Sequence, residues 1–267
     1  MIYTSVNINA GGQTAPLYTY MLDTPPALNN GKGRPVVLIL PGGGYTMISD
    51  RDTEPVAVRM NAAGFHAAVL RYSVSPARFP VALSQAAQAV MLLREHAADW
   101  HIDPSRVFVM GLSAGGHLAA SLGTLWNKKV IDDELKAAPA KFRPDGLVLA
   151  YPVISSGEFT HQGSIDNLIA DRAELRETVS TEKQVDKDTP PAFIWHTVED
   201  ELVPVENSLL FAGALRRSGV SFELHIYPKG VHGQSLGTRE TESPMFPTPI
   251  PPVDSWVDLA VNWIRSF

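Results

Sequence analysis

The chain has 267 residues, 45% of them hydrophobic and 19% charged, enough apolar material for a sizeable core within one large α/β unit. A net charge of −6, with lysine and arginine scattered rather than clustered, argues against nucleic acid or an anionic membrane as the main partner. Cysteine is absent, which excludes disulfides, thiolate metal sites and a cysteine nucleophile. The segment Met1–Ala10 carries no basic region followed by an apolar core, so no signal peptide is expected in this sequence. No apolar run approaches the roughly 18 residues of a membrane span, and a cytoplasmic location is the expectation.

The opening reads as two strands, near Ser5–Ile8 and Leu17–Met21, turned by Gly11-Gly12. A loop rich in Pro, Asn and Gly, from Thr24 to Pro35, leads into the continuous apolar run Val36–Leu40, which suits a strand covered on both faces. Pro41-Gly-Gly-Gly44 follows, then a helix around Glu54–Ala63 closed by Gly64, and a strand at His66–Arg71. Val81–Ala98 has the apolar spacing of a long helix, and Asp103-Pro104 punctuates the passage to a strand at Val107–Met110. That strand runs through Gly111-Leu-Ser-Ala-Gly115 into a small-residue helix ending near Leu125. After a charged surface stretch, Asn127–Lys141, come strands at Gly146–Tyr151 and Ala192–His196, a helix from about Val205 to Arg217, a strand at Ser221–Tyr227 and a last helix at Ser255–Ile264.

Strands alternating with helices imply α/β architecture: a mostly parallel, doubly wound sheet, with the first hairpin added antiparallel at one edge. No linker divides the chain, so a single domain over residues 1–267 is predicted. The stretch from Ile154 to Thr189 breaks the rhythm, with many charges and few long apolar runs. Because it follows a core strand, and the crevice of such sheets opens at the carboxyl ends of strands, it reads as a small cap. The alternative is a solvated surface excursion.

The chemistry centres on Ser113. A bare G-x-S-x-G is a weak pattern, but here it joins a buried strand to a helix, the setting in which flanking glycines allow a tight bend that holds the hydroxyl out above the sheet. The backbone N–H of Ala114, at the start of the helix, would then face a developing oxyanion. A serine hydroxyl needs a base and the base an orienting carboxylate. Glu199, Asp200 and Glu201 all stand just past the strand Ala192–His196, where the orienting carboxylate is needed. His232, on the glycine-flanked loop Pro228-Lys-Gly-Val-His-Gly-Gln234, is placed where a general base belongs. His196 is a weaker competitor, His225 reads as structural within its strand, and His117 is expected to pack or cap. His66, His96, His101 and His161 occupy no comparable positions. None of these histidines shows metal-ligand spacing, so neither metal nor cofactor is expected. The second half of an oxyanion hole is assigned to Gly43 and Gly44, whose freedom from a Cβ lets the backbone approach a substrate. Tyr45 and Met47 are candidates for the pocket lining or for the core.

These residues resemble the α/β-hydrolase superfamily, and within it small bacterial carboxylesterases similar to the hormone-sensitive-lipase group and the acetyl xylan or feruloyl esterase group. The resemblance spans nearly the whole chain. It rests on Pro41-Gly-Gly-Gly-Tyr45, Gly111-Leu-Ser-Ala-Gly-Gly-His-Leu-Ala119, Tyr151-Pro-Val153, His196-Thr-Val-Glu-Asp-Glu-Leu-Val-Pro204 and Pro228-Lys-Gly-Val-His-Gly233. It implies the fold, ester hydrolysis and the order Ser, Asp, His, with Asp200 taken as the acid because its place before Leu202-Val203-Pro204 matches the acid loop common in these hydrolases, a small-molecule ester as partner and a homo-oligomer left open. Pro41 stands where the lipase-like pattern has histidine, and Leu112 where that pattern favours aspartate. Both departures pull toward the carbohydrate-esterase-like branch and short acyl groups such as acetate. Two other readings are a serine peptidase of the prolyl-oligopeptidase kind, for whose accessory propeller the chain has no room, and a catalytically silent interaction protein, which would be expected to lack a triad member.

Overall fold

The computed structural model describes residues 1–25, 27, 31–246 and 252–267, so the loop expected over Thr24 to Pro35 lies partly outside the described residues. Among the described residues, eight strands form one sheet: β1 (Ile2–Ala10), β2 (Gln13–Met21), β3 (Arg34–Leu40), β4 (His66–Leu70), β5 (Ile102–Leu112), β6 (Gly146–Ala150), β7 (Ala192–Thr197) and β8 (Phe222–Tyr227). Their order across the sheet is β1-β2-β4-β3-β5-β6-β7-β8. β2 pairs antiparallel with both β1 and β4, and every pairing from β4 to β8 is parallel. The expected antiparallel edge on a parallel sheet is therefore what the chain forms.

The helices are α1 (Glu54–Ala62), α2 (Val81–Glu95), α3 (Ala97–Trp100), α4 (Ala114–Leu125), α5 (Lys129–Leu135), α6 (Gln162–Ile169), α7 (Arg176–Val179), α8 (Glu206–Arg217) and α9 (Trp256–Arg265). Side chains alternate across a strand, so each central strand feeds two cores. Val36, Leu38 and Leu40 of β3, Val109 of β5 and Leu147 of β6 pack with Ala86 and Val90 of α2, Leu118 and Leu122 of α4, and Phe211 of α8. Val37 and Ile39, with Met110, Val148 and Trp195, pack with Met60 of α1 and Trp256 and Ile264 of α9. This double coverage is why β3, β5, β6 and β7 read as unbroken apolar runs rather than alternating ones. Fully burying each Val, Leu or Ile side chain contributes about 1.5–3 kcal/mol before entropy is counted.

Two boundaries differ from expectation for identifiable reasons. β3 begins at Arg34, and β5 at Ile102 rather than Val107. Arg34 pairs with Ile102 but Val36 pairs with Val107, so the register slips across Pro35, which has no N–H to donate. The helix expected to run to Ala98 stops at Glu95 and resumes as one turn, α3, before His101 adopts a left-handed conformation.

Candidate active site

The β5–α4 junction bends at Ser113, which has φ 55° and ψ −119°, a backbone region costly for any residue with a Cβ, of the order of 1–3 kcal/mol. Surrounding hydrogen bonds hold it there: Ser113 N–H donates to the Ala150 carbonyl (3.0 Å), and the Ser113 carbonyl accepts from Val153 (3.1 Å) and His117 (3.1 Å). The flanking glycines are obligatory on steric grounds. A Cβ on Gly111 would lie 2.1 Å from the Gly115 carbonyl oxygen, and one on Gly115 would lie 2.0 Å from that of Leu40. Gly115→Ala is accordingly expected to lower the free energy of unfolding by about 3 kcal/mol, since backbone must move to admit the methyl. Urea unfolding, read as a lower midpoint at unchanged slope, checks this.

The structure brings Ser113, His232 and Asp200 into one hydrogen-bonded line. Ser113 Oγ is 2.7 Å from His232 Nε2, and His232 Nδ1 is 2.6 Å from Asp200 Oδ2. A carboxylate only accepts, so Nδ1 carries the proton and Nε2 is left as the acceptor of the serine proton. Ser113 is barely exposed and Asp200 is buried. Tyr151 packs its ring edge-on to the imidazole, centroids 5.1 Å apart, fixing its plane.

Asp200 is anchored on its other sides as well. Oδ1 accepts the N–H groups of Leu202 (3.1 Å) and Val203 (2.9 Å), which is why the acid sits just ahead of Leu202-Val203, with only Glu201 between. Oδ2 also faces His196 Nε2 at 3.2 Å. His196 Nε2 lies 2.9 Å from the Val203 carbonyl, so it carries hydrogen toward both oxygens, while Nδ1 accepts from Ser208 Oγ at 2.8 Å. Burial by itself raises the Asp200 carboxyl, but hydrogen bonds from His196, His232 and Val203 and the attraction of His232 outweigh it and hold the group well below the usual carboxylate range. His196 is thus no rival base. It braces the acid from behind, a role hinted at in the sequence only by the His…Asp spacing of four.

The loop after β3 places Gly43 at φ 129° and Gly44 at φ 62°, both in the region that favours glycine. Gly42 N–H donates to Asp52 Oδ2 (3.1 Å), and among the described residues no acceptor takes the N–H groups of Gly43, Gly44 or Ala114. Asp52 itself is buried, which raises its carboxyl, against hydrogen bonds from Ser235, Gly42 and Ser49 and the charge of Arg51. Its neighbour Arg51 donates to the Gly233 carbonyl (2.7 Å) and the Thr241 carbonyl (2.6 Å) and lies over the Phe246 ring. One short turn thereby grips both the glycine loop and the loop bearing His232, a contact the sequence did not announce.

The remaining histidines separate cleanly. His117 is buried, which lowers it to about 4; its Nε2 donates to the Val179 carbonyl (2.7 Å) and its Nδ1 accepts from Tyr45 Oη (2.9 Å). Tyr45 is accordingly core, whereas Met47 is exposed. His66 is likewise lowered to about 4 by burial and accepts the Leu22 N–H. His225, half-buried in β8, pairs with Glu223 and lies against Phe193. His161 was passed over in the sequence, yet it belongs to this neighbourhood: burial lowers it, as does the charge of His232, with Asp200 opposing.

The stretch 154–189 contains α6 and α7, and α6 rests on the glycine loop, with Asn167 Nδ2 donating to the Gly44 carbonyl (3.0 Å). Beside His232 a cavity of about 690 Å³ is lined by Val198, Leu202, Val231, Met245 and Phe246, with Glu199 and Glu201 at its rim. Glu199 is tied to Lys229, and its Oε2 accepts the Gly230 N–H (3.3 Å). Among the described residues there is no cluster of three or more potential metal ligands, and no helix is long and apolar enough to cross a membrane.

The BD-FAE family profile matches residues 22–215. The chain is 38% identical over 218 residues to endo-1,4-beta-xylanase B of Butyrivibrio fibrisolvens, covering 79% of this chain and 34% of that protein. It is 33% identical over 217 residues to an acetylxylan esterase of Xylanibacter ruminicola, covering 78% of this chain and 42% of the relative. It therefore spans roughly a third to two fifths of the length of these relatives. Among solved structures, the acetyl ester-xyloside bifunctional hydrolase from Caldicellulosiruptor lactoaceticus superposes with TM-score 0.82 at 40% identity, covering 95% of this chain and 88% of that one. Carboxylesterase Cest-2923 from Lactobacillus plantarum superposes with TM-score 0.88 at 27% identity, covering 100% and 98%. The strand order, the bend at Ser113 and these matches together establish that the chain belongs to the BD-FAE family of the α/β-hydrolase superfamily.

Proposed function

We propose that this chain is a serine carboxylesterase that hydrolyses short-chain acyl esters, acetyl above all, with acyl groups carried on carbohydrate as a candidate substrate class. The observation that carries the reading is the line Ser113 Oγ, His232 Nε2, His232 Nδ1, Asp200 Oδ2, with the imidazole in the tautomer that accepts the serine proton. His232 takes that proton as Ser113 Oγ attacks the ester carbonyl carbon. The resulting oxyanion rests on the N–H groups of Gly43, Gly44 and Ala114. Collapse breaks the bond to the alcohol oxygen, which leaves with the proton from His232, and Ser113 holds the acyl group. Water, deprotonated by the same imidazole, then adds to the acyl carbon and releases the acid and the free serine.

Similarity to an acetylxylan esterase and to an acetyl ester-xyloside hydrolase supports an acetyl preference, as do Pro41 and Leu112. The chain is read as a single domain, with 154–189 acting as a small cap on the crevice, in keeping with the contact between Asn167 and Gly44. A fluorophosphonate probe is expected to label Ser113 and no other residue. Rates on p-nitrophenyl esters are expected to fall from acetyl through butyryl to octanoyl. An unlabelled Ser113 would refute the nucleophile, and a preference for octanoyl would refute the acetyl assignment.

A further inference from the structure

His161 stands immediately before α6, the helix that rests on the glycine loop. Its Nδ1 is 2.8 Å from the hydroxyl of Ser164, which is fully buried. Ser164 Oγ in turn lies against the glycine loop, 3.8 Å from where a Cβ on Gly44 would stand, and one turn further along Asn167 donates to the Gly44 carbonyl. The first two turns of α6 therefore sit on a proposed oxyanion donor, and His161 is carried with them. The imidazole is close enough for the charges of His232 and Asp200 to act on it. It is half-buried, and among the described residues no protein group takes its Nε2.

We propose that His161 is a substrate-contacting residue whose Nε2 binds a hydroxyl on the carbon next to the ester oxygen, so that the site favours monoesters of vicinal diols and polyols over esters of simple alcohols. This rests on the esterase reading above. The leaving oxygen must come within hydrogen-bond reach of His232 Nε2 to be protonated. A second oxygen one carbon away on the side of α6 then meets His161. The chemistry of the Ser164 contact selects a hydroxyl. If Ser164 donates to Nδ1, Nε2 carries hydrogen and needs an acceptor; if Ser164 accepts from Nδ1, Nε2 is bare and needs a donor. A hydroxyl satisfies either state, whereas an ether or carbonyl oxygen satisfies only the first.

The test compares 2-hydroxyethyl acetate with ethyl acetate, which differ by that one hydroxyl, by pH-stat at pH 7.5 (about one unit above free imidazole), each rate normalised to hydroxide-catalysed hydrolysis. The wild type is expected to favour the hydroxy ester about tenfold in kcat/KM, the value of one good hydrogen bond. His161→Leu is expected to bring the ratio to near one, chiefly through KM for the hydroxy ester. His161→Gln, whose carboxamide reaches the position of Nε2, is expected to keep about threefold. Ser164→Ala, which frees the ring, is expected to reduce the ratio by about threefold, and it serves if the leucine variant does not fold. A wild type without the preference, or a His161→Leu variant that keeps it or loses rate equally on both esters, overturns the proposal. If Ser113→Ala still hydrolyses both esters, the esterase reading itself fails; if that variant is dead while the ratio ignores His161, only the assignment of His161 fails.

Discussion

Ser113→Ala is expected to reduce kcat on acetyl esters by about 10⁴- to 10⁶-fold, leaving a residue of catalysis above water from the backbone donors and from binding. Stability should hardly follow. The hydroxyl lost makes one hydrogen bond, to His232, at a site in contact with solvent, so the change in unfolding free energy is expected to stay within about 1 kcal/mol. Ser113→Gly separates the two quantities further. It is equally without a nucleophile, but a glycine adopts φ 55°, ψ −119° without penalty, and the protein is expected to gain about 1 kcal/mol in stability. Esterase assays beside urea unfolding of the three proteins check both halves. A variant that lost activity in proportion to stability would point to collapse of the fold rather than removal of a nucleophile.

Asp200→Asn is expected to lower kcat by about 10⁴-fold, because the replacement reverses the imidazole rather than merely discharging its partner. The amide nitrogen, facing His232, would donate to Nδ1 and move the ring proton to Nε2, where it opposes the serine hydroxyl. If the amide is turned the other way, its nitrogen meets the N–H groups of Leu202 and Val203, which the carboxylate accepts. Whichever way it sits, a buried donor is left facing a donor, and a loss of about 2–3 kcal/mol in stability is expected. The pH dependence has a definite sign. Asp200 is held below the usual carboxylate range in the folded protein, so its contribution is complete above the unfolded value of about 4 and drains away as pH falls through the lower folded value. The stability gap between wild type and Asp200→Asn should therefore be constant near neutrality and narrow below about pH 4, as chemical unfolding at a series of pH values would record.

Much of this arrangement was readable from residue order because it is backbone-driven. The runs Val36–Leu40 and Gly146–Tyr151 announce strands covered on both faces, and glycines at 111 and 115 announce a bend in which no Cβ can be seated. The position of Asp200 was legible through the likeness of its loop to the acid loop of related hydrolases, and the structure supplies the physical reason: the Leu202 and Val203 amides both reach one carboxylate oxygen. What escaped depends on burial that only the tertiary fold creates. Asp52, within Ser49-Asp-Arg-Asp52, has the composition of a solvated turn, and nothing local reveals that it ends beneath Gly42. His161 lies in a polar insertion without periodicity. Its significance comes from α6 being folded onto Gly44, a contact made across more than a hundred residues of chain. His196 ranked as a rival base because its strand-end position was visible, while the direction of its ring was not. The slip of register at Pro35 likewise required knowing which strand would be its neighbour.

The turn at Arg51 and Asp52 bears on how precisely the site can be kept while the molecule fluctuates. The glycine loop and the loop bearing His232 are far apart in sequence and belong to opposite halves of the sheet, so independent motion would vary the distance between them. Adjacent residues of one rigid turn hold the two, Asp52 through the Gly42 amide and Arg51 through the Gly233 carbonyl. A displacement of that turn carries both loops in the same direction. The error is common to both sides and cancels in their separation, so the spacing between His232 and the amides of Gly43 and Gly44 is steadier than the position of either.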